Sequence, residues 1–482
     1  MTKLLTKSKY MAGLKCLRYL WFVDRKKIPE VSLLDKVLFE GGFEFEKYAR
    51  QLFAEAKNLS SLDFSDNITK TNELIKSKQS IIEAGLSYEN YYVRSDVLEH
   101  VKDNTWNLYE IKSTTSEKKY HYPDLAYQKF VCEKIGMTIN GCFLLHLNKD
   151  FKKNGDIDFN KLVVKVDVTN KVNEVTGIDE DSNRFLDVIT SNKTPDIVIS
   201  RNCKSPHVCP LKDECWSSLP KNNIFLLKDW RLYWTMCNQG LFDLKDIDED
   251  IKLKPIDANI KAATLKNKVY MSKEHIKHFL NTIKYPIYHF DFETFSTAVP
   301  KFDNTSPYQN IPFQYSLHVE DKNGATKHFE YLATGDEDPR IKLLEQLKDE
   351  IGSKGSILTY NQSFEINVFR NLADDFPEHK IWINNVINRI QDLAIPFKNY
   401  HYYNPVQEGR WSIKKVLPAL TKLSYDDMDI GNGGDASALY YFSHIKKEIK
   451  GKDKIREDLL KYCELDTWAM VEILRKLLQI SL

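Results

Sequence analysis

The residues with the clearest chemical potential are Asp291 and Glu293, in the run Ile-Tyr-His-Phe-Asp-Phe-Glu-Thr. Strand alternation turns both acids to one face and Phe290 and Phe292 to the other. Two carboxylates in an otherwise apolar strand are costly without a counter-ion. A pair of divalent cations about 3.5–4 Å apart is the chemical use that suits them, since it activates water for phosphodiester attack. Near the end of the chain, Tyr462 and Asp466 stand four residues apart in a long amphipathic run, so on a helix they share a face. There Asp466 could complete the ligand set, and Tyr462 could position an attacking water. Taken singly, a D-x-E or a Y-x3-D is a common surface pattern; the combination carries the reading.

A second acidic group lies earlier. Asp96 sits in YYVRSDVLEH, and Glu110 and Lys112 sit in WNLYEIKS, two strand-like runs separated by the turn residues Asp103-Asn104-Thr105. Alternation puts Glu110 and Lys112 on one face and Ile111 on the other. A hairpin would bring Asp96 beside Glu110, and a bound cation would relieve their repulsion. Lys112 would then orient the water or neutralise developing charge. An exposed strand carrying E-x-K is also a common solvated edge. A third group is made of cysteines: Cys203, Cys209 and Cys215 follow a C-x5-C-x5-C pattern stiffened by Pro206 and Pro210, and Cys16 lies near the N-terminus. Charged residues between the three argue against a buried apolar loop, and four thiolates satisfy either a tetrahedral zinc or a [4Fe–4S] cluster. Cys132, Cys142, Cys237 and Cys463 sit singly on apolar faces and read as core packing.

The elements that must hold these groups are legible in outline. Residues 1–55 have helical spacing. Between about 88 and 148 the order is strand, strand, helix (LAYQKFVCEKIG) and buried strand (NGCFLLHLN), an α/β arrangement. A Lys-rich, mostly helical stretch, 217–284, reads as a connector. From 285 the pattern is strand (YPIYHFDFETFS), a strand pair (PFQYSLHVE, KHFEYLA), helix (IKLLEQLKDEI), strand (SILTYN), helix (FEINVFRNLA) and a long closing helix. The chain of 482 residues is thus expected to hold domains at 1–216 and 285–482. Charge offers no guide to partners: 69 basic and 68 acidic residues leave +1, so any nucleic-acid contact must come from local patches. No run reaches the roughly 18 apolar residues of a membrane span, so no membrane partner is expected. The first residues are too polar for a secretory segment, which makes the cytoplasm the expected compartment.

The stretch GGFEFEKYA…RSDVL…LYEIKS…LAYQ resembles the RecB-family PD-(D/E)XK nucleases, and is most similar to the iron–sulfur exonucleases associated with CRISPR adaptation. That resemblance covers about residues 5–216. It implies a restriction-endonuclease-like fold, a metal-ligating role for Glu46 where the family often has His, and a nucleic-acid-facing role for Gln128. It also implies that Cys16, Cys203, Cys209 and Cys215 hold a structural [4Fe–4S] cluster. Asp291, Glu293, Tyr462 and Asp466, in this order, resemble the DEDDy exonucleases, which have an RNase H-like fold. Tyr360-Asn361-Gln362-Ser363-Phe364-Glu365 is similar to the second motif of that group, with Glu365 where an Asp is usual, and implies Glu365 as a further ligand. Asp392 is an extra acid or a turn cap. The segment EGRWSIKKVLPAL is similar to one in a DEDD-like domain often fused to iron–sulfur nuclease modules. There Arg410, Lys414 and Lys415 would meet phosphates or simply be solvated.

Together these features lead to the expectation of a Mg²⁺- or Mn²⁺-dependent nuclease with two candidate sites; the resemblance leans towards DNA for the N-terminal domain, and a C-terminal domain acting on RNA stays open. The resemblance implies 3′→5′ cleavage for the second. Two other classes stay in view. One is a nucleic-acid-binding protein in which one acidic site only grips substrate. The other is an iron–sulfur redox or regulatory protein, which lacks flavin or nicotinamide motifs and leaves the acidic strands unexplained.

Overall fold

A computed structural model describes residues 3–482. The chain is mixed α/β and divides into two compact units. The first comprises the residues through Ser32, Leu38–Ser218 and Thr297–Tyr308. The second comprises Leu33–Val37, Leu219–Ser296 and Gln309–Leu482. Residues 219–284, expected as a connector, therefore belong to the second unit, and a short segment near 300 returns to the first. The helices Trp230–Asn238, Pro255–Lys266 and Lys273–Leu280 carry most of that stretch.

The first unit is built on a sheet of seven strands: β1 (Leu5–Thr6), β2 (Lys57–Asn58), β3 (Ile81–Tyr88), β4 (Tyr91–Lys102), β5 (Thr105–Lys112), β6 (Thr138–Leu147) and β7 (Val163–Asp167). The order is β2-β3-β4-β5-β6-β7, with β1 beside β4. Strands β3, β4 and β5 form an antiparallel meander, and β5 and β6 are parallel, joined through the helix Tyr122–Lys134. That crossover needs the intervening helix. The helix Lys7–Lys15 packs on the same side: Tyr10 stacks on Tyr127 at 4.3 Å and meets Phe185 edge-on at 5.5 Å. Gly13 lets that helix come close, because a Cβ there would lie 2.7 Å from the Phe185 ring. The β3–β4 ladder skips Glu83 and Asp96, and Glu83 adopts φ +62°, a left-handed conformation that is costly for a residue with a side chain.

The second unit contains a short antiparallel ribbon, β8 (Tyr270–Met271) with β14 (Tyr402–Tyr403), and a five-stranded sheet. The sheet uses β9 (Ile287–Phe295), β10 (Ile311–Glu320), β11 (Thr326–Leu332), β12 (Ser356–Thr359) and β13 (Ile390–Asp392) in the order β11-β10-β9-β12-β13. The first three pair antiparallel; β12 and β13 run parallel to β9. Phe290 and Phe292 of β9 pack into the core against Phe369 of the helix Ser363–Asp375. The opposite face of β9 is covered by the closing helix Lys452–Ser481, whose buried residues include Tyr462, Cys463, Asp466 and Thr467.

Gly355 opens β12 at φ +94°, and a Cβ there would sit 2.0 Å from the carbonyl oxygen of Pro286. Gly355→Ala is expected to destabilise the second unit by about 1–3 kcal/mol through strain alone. Thermal melts of the variant and the wild type test this; an unchanged midpoint would show that the turn relaxes freely.

Candidate metal and nuclease sites

In the second unit, β9 and the closing helix bring three acids together. One carboxylate oxygen from each of Asp291, Glu293 and Asp466 lies within 4.8 Å of the others. They line a cleft of about 530 Å³ with Tyr360, Asn361, Phe364, Glu365, Lys414, Tyr462 and Met470, among others. Glu365 stands in the first turn of the helix Ser363–Asp375; it is buried, and its Oε2 has no hydrogen-bond partner among the described residues. Asn361, at φ +73°, turns the chain from β12 into that helix. Asp392 holds the turn: its Oδ1 accepts from the backbone N–H of Asn361 and of Ala394, each at 2.9 Å. Asp392 thus holds the turn that leads into the helix carrying Glu365.

Burial and mutual repulsion dominate the electrostatics. Asp291 is pushed well above the carboxylate range by burial first, then by Asp466, Glu293 and Glu365. Burial raises Glu293 to about 8, with Asp466 adding to it, and raises Glu365 to about 8, with a contribution from Asp392. Asp466 rises only to about 6, because the Tyr425 hydroxyl donates to its Oδ1 at 2.6 Å and Lys414 is near. The Lys414 ammonium lies 5.0 Å from the centre of the Tyr462 ring and 5.2 Å from that of Tyr425, and donates to the Gly431 carbonyl. Four acids in the cleft therefore face one cation.

Of the other two basic residues expected near phosphate, Arg410 is exposed and Lys415 pairs with Glu408 at 2.7 Å. Tyr425 was not foreseen; it lies in a loop with no periodicity to mark it. Cys463, read from sequence as plain core packing, lies with its Sγ 3.9 Å from Asp291 Oδ2.

The first unit arranges its charges differently. Asp96 Oδ2 accepts from the Ile111 N–H at 2.6 Å, so the expected hairpin does bring Asp96 to the Glu110 strand. Glu110, however, is nearly buried and already saturated. Lys7 donates to both its oxygens at 2.8 and 2.9 Å, Lys112 to Oε1 at 2.6 Å, and Gln128 to Oε2 at 2.6 Å. Asp124 completes the network, accepting from Lys112 at 2.8 Å and from Gln128 at 3.1 Å. Gln128, expected to face nucleic acid, is fully buried and fixes Glu110 and Asp124 instead. Burial alone would lower Lys7, but Asp124, Glu110 and Asp96 outweigh it and raise it well above the usual lysine value.

The oxygens that do converge here belong to Glu46, Glu83 and Asp96, all within 4.8 Å. Arg50 bridges Glu46 and Glu83, and Arg94 pairs with Glu83 at 2.6 Å. Five carboxylates thus meet four cations, close to balance. Lys7, Glu83, Asp124, Arg50 and Arg94 were all missed from sequence. Only Asp124 carried a signal, standing four residues before Gln128 on one helix face. Cys16, Cys203, Cys209 and Cys215 line one small cavity with Tyr19, Leu211 and other residues. Lys15, whose ammonium donates to the His207 carbonyl at 2.6 Å, lies close enough to feel Cys209, Cys203 and Cys16.

Residues 288–412 match a family described as "Domain of unknown function (DUF2779)". The match takes in Asp291, Glu293 and Glu365 and stops short of Tyr462 and Asp466. The chain is similar to an uncharacterized protein of Ureaplasma parvum serovar 3, 26% identical over 209 residues that cover 38% of this chain and 30% of that one. It is also similar to an uncharacterized protein of Mycoplasma pneumoniae, 30% identical over 207 residues, 38% of this chain and 31% of that one. An uncharacterized protein of Mycoplasma genitalium is 25% identical over 288 residues, 52% of this chain and 43% of that one. The matched parts thus span less than half of each relative. No helix among the described residues is long and apolar enough to cross a membrane.

The raised carboxylates make a pH prediction with a definite sign. Glu293 and Glu365 ionise near 4.5 when unfolded and at about 8 in the fold. Their contribution to stability is present below pH ~4.5 and is lost as pH rises through 8. The chelator-treated protein should therefore melt lower at pH 8 than at pH 6, and Glu293→Gln should raise the pH 8 midpoint by a few degrees, at about 2–4 °C per kcal/mol. Equal midpoints for variant and wild type at pH 8 would mean that the acids do not strain one another.

Proposed function

We propose that this protein is a metal-dependent nuclease that hydrolyses phosphodiester bonds in nucleic acid, DNA in the first instance, and that the second unit is its main cutting module. The observation that carries the reading is the convergence of Asp291, Glu293 and Asp466 in an open cleft holding one nearby cation, Lys414. The strand order β11-β10-β9-β12-β13 supports an RNase H-like reading, as does the crossing of the closing helix over β9. An all-oxygen donor set suits Mg²⁺ or Mn²⁺. The orphaned Glu365 Oε2 and the raised carboxylates both fit a bound cation.

Asp291, Glu293, Asp466 and Glu365 would hold the metal, which when bound supplies an activated water and stabilises charge on the phosphate. The remaining work falls to the chain's own groups. Lys414 faces the acids from the cleft wall and is placed to pair with a phosphate oxygen. Tyr462 lines the same cleft, where its hydroxyl can orient the attacking water. Phe364, Ile413 and Met470 offer the apolar surface against which a terminal base would rest. Tyr425 donates to Asp466 and so keeps that carboxylate ionised at a lower pH than its neighbours.

The first unit fits a PD-(D/E)XK reading through its β3-β4-β5-β6 order and the clustering of Asp96, Glu110 and Lys112. One observation favours a gripping role over cutting there: both Glu110 oxygens are taken up by Lys7, Lys112 and Gln128. Cys16, Cys203, Cys209 and Cys215 would hold a structural [4Fe–4S] cluster that ties the N-terminal helices to the end of the unit.

Digestion of 5′- and 3′-labelled single- and double-stranded DNA and RNA with Mg²⁺ or Mn²⁺ tests the proposal. Asp291→Asn removes a ligand worth several kcal/mol of transition-state stabilisation, about 10³-fold in rate. Tyr462→Phe should cost about 10²–10⁴-fold. If Asp291→Asn digests every substrate as fast as wild type, the second unit is not the cutting module. Protein purified without oxygen should be brown, with iron and sulfide that Cys209→Ala loses; one zinc and no iron would replace the cluster with a zinc site.

A further inference from the structure

A third group of side chains of metal-ligating type lies between the second unit's sheet and its closing helix, apart from the carboxylate cleft. It has a different chemistry. His318 on β10 stands directly opposite His328 on β11, and their rings stack with centroids 4.4 Å apart and planes 24° apart. One ring nitrogen of each is already engaged: His318 Nδ1 lies 2.8 Å from the Thr467 hydroxyl, and His328 Nε2 lies 2.9 Å from the Ser316 hydroxyl. Those two hydroxyls are themselves 2.6 Å apart. Thr467 and Ser316 thus fix the orientation of both imidazoles from behind, and each ring keeps its other nitrogen for a further partner.

That partner is Glu464, one turn before Thr467 on the closing helix. A ligand atom from each of His318, His328 and Glu464 lies within 4.8 Å of the others. His328 Nδ1 is 3.8 Å from Glu464 Oε1, too long for a hydrogen bond but suited to two ligands sharing an ion. Rings anchored at one nitrogen, with the other free, are what outer-sphere partners of metal-bound histidines produce. His318 is buried, His328 half-buried and Glu464 exposed, so the group opens to solvent on the Glu464 side.

We propose that His318, His328 and Glu464 form a binding site for a divalent transition ion of the zinc class, which clamps the closing helix onto β10 and β11. Two imidazoles and one carboxylate select Zn²⁺ or a similar borderline ion, with solvent at the fourth position. The all-oxygen set in the cleft selects harder ions, so the two sites take different metals. The clamp has a positional consequence. Glu464 lies between Tyr462 and Asp466, so an ion holding Glu464 to the sheet fixes the turn of helix that presents both groups to the cleft. The site stands or falls independently of nuclease activity.

Zinc titration of the chelator-treated full chain, read by calorimetry, tests this with wild type, His328→Ala, Glu464→Gln and Asp291→Asn. Wild type and Asp291→Asn should bind one zinc equivalent that His328→Ala lacks, and Glu464→Gln should bind it at least tenfold more weakly. Zinc should raise the melting midpoint of wild type by more than that of His328→Ala. Any zinc taken by the four cysteines is common to all variants and cancels in the comparison. Identical stoichiometry and affinity in wild type and folded His328→Ala would overturn the proposal. Should His328→Ala fail to fold, the same identity between wild type and Glu464→Gln, at an exposed helix position, would overturn it instead.

Discussion

The second unit is organised around a repulsion. Asp291, Glu293, Glu365 and Asp466 are gathered out of water around one cleft; burial raises all four above the usual carboxylate range, and the charge of their neighbours in the group adds to it at Asp291 and Glu293. Such a cluster would push itself apart unless the scaffold resisted. The resistance comes from behind the acids: Phe290 and Phe292 lock β9 into the core, while the closing helix is anchored along its apolar face. The two acids of β9 and the one on the helix are thereby held with a carboxylate oxygen from each within 4.8 Å of the others.

The first unit solves the same problem in the opposite way. Its five carboxylates are answered by Lys7, Lys112, Arg50 and Arg94, so little net charge is left. The cost appears in the backbone instead. Glu83 is held left-handed so that its side chain joins Glu46 and Asp96, and strain of this kind persists where the surroundings over-determine it. Charge balance explains why Glu110 is engaged by protein groups, whereas Glu365 in the second unit keeps an unpaired oxygen. The two units thus differ in what they leave available to a ligand, whatever their shared acidity.

Much of this was readable from sequence where periodicity governs. Alternation in β9 put Asp291 and Glu293 opposite Phe290 and Phe292, and four-residue spacing placed Tyr462 with Asp466. The strands carrying Asp96 and Glu110 and the crossover helix with Gln128 were also legible. What escaped was set by long-range contact. Lys7 meets Glu110 across 103 positions of sequence, and no local pattern announces that pairing. The left-handed Glu83 gives no sign either, since Gly or Asn would be the ordinary marker of that conformation. Tyr425 sits in a loop, and the unit boundary near 300 reflects packing of distant segments. Gln128 was placed on the right helix but given the wrong surroundings, because burial depends on what covers the helix.

The closing helix explains how separate chemistries can share one sheet. Tyr462, Asp466 and Cys463 face the acids of β9, while Glu464 and Thr467 reach His318 and His328 on β10 and β11. A helix repeats every 3.6 residues, so positions two apart diverge by roughly half a turn and address different neighbours. One helix lying across all three strands thus adds Asp466 to the carboxylates of β9 and Glu464 to the imidazoles of β10 and β11. Because the helix is a rigid rod over this length, a shift at Glu464 is a shift at Asp466. Position in the cleft is therefore set partly by contacts that never touch it, through Thr467, Ser316 and the stacked imidazoles.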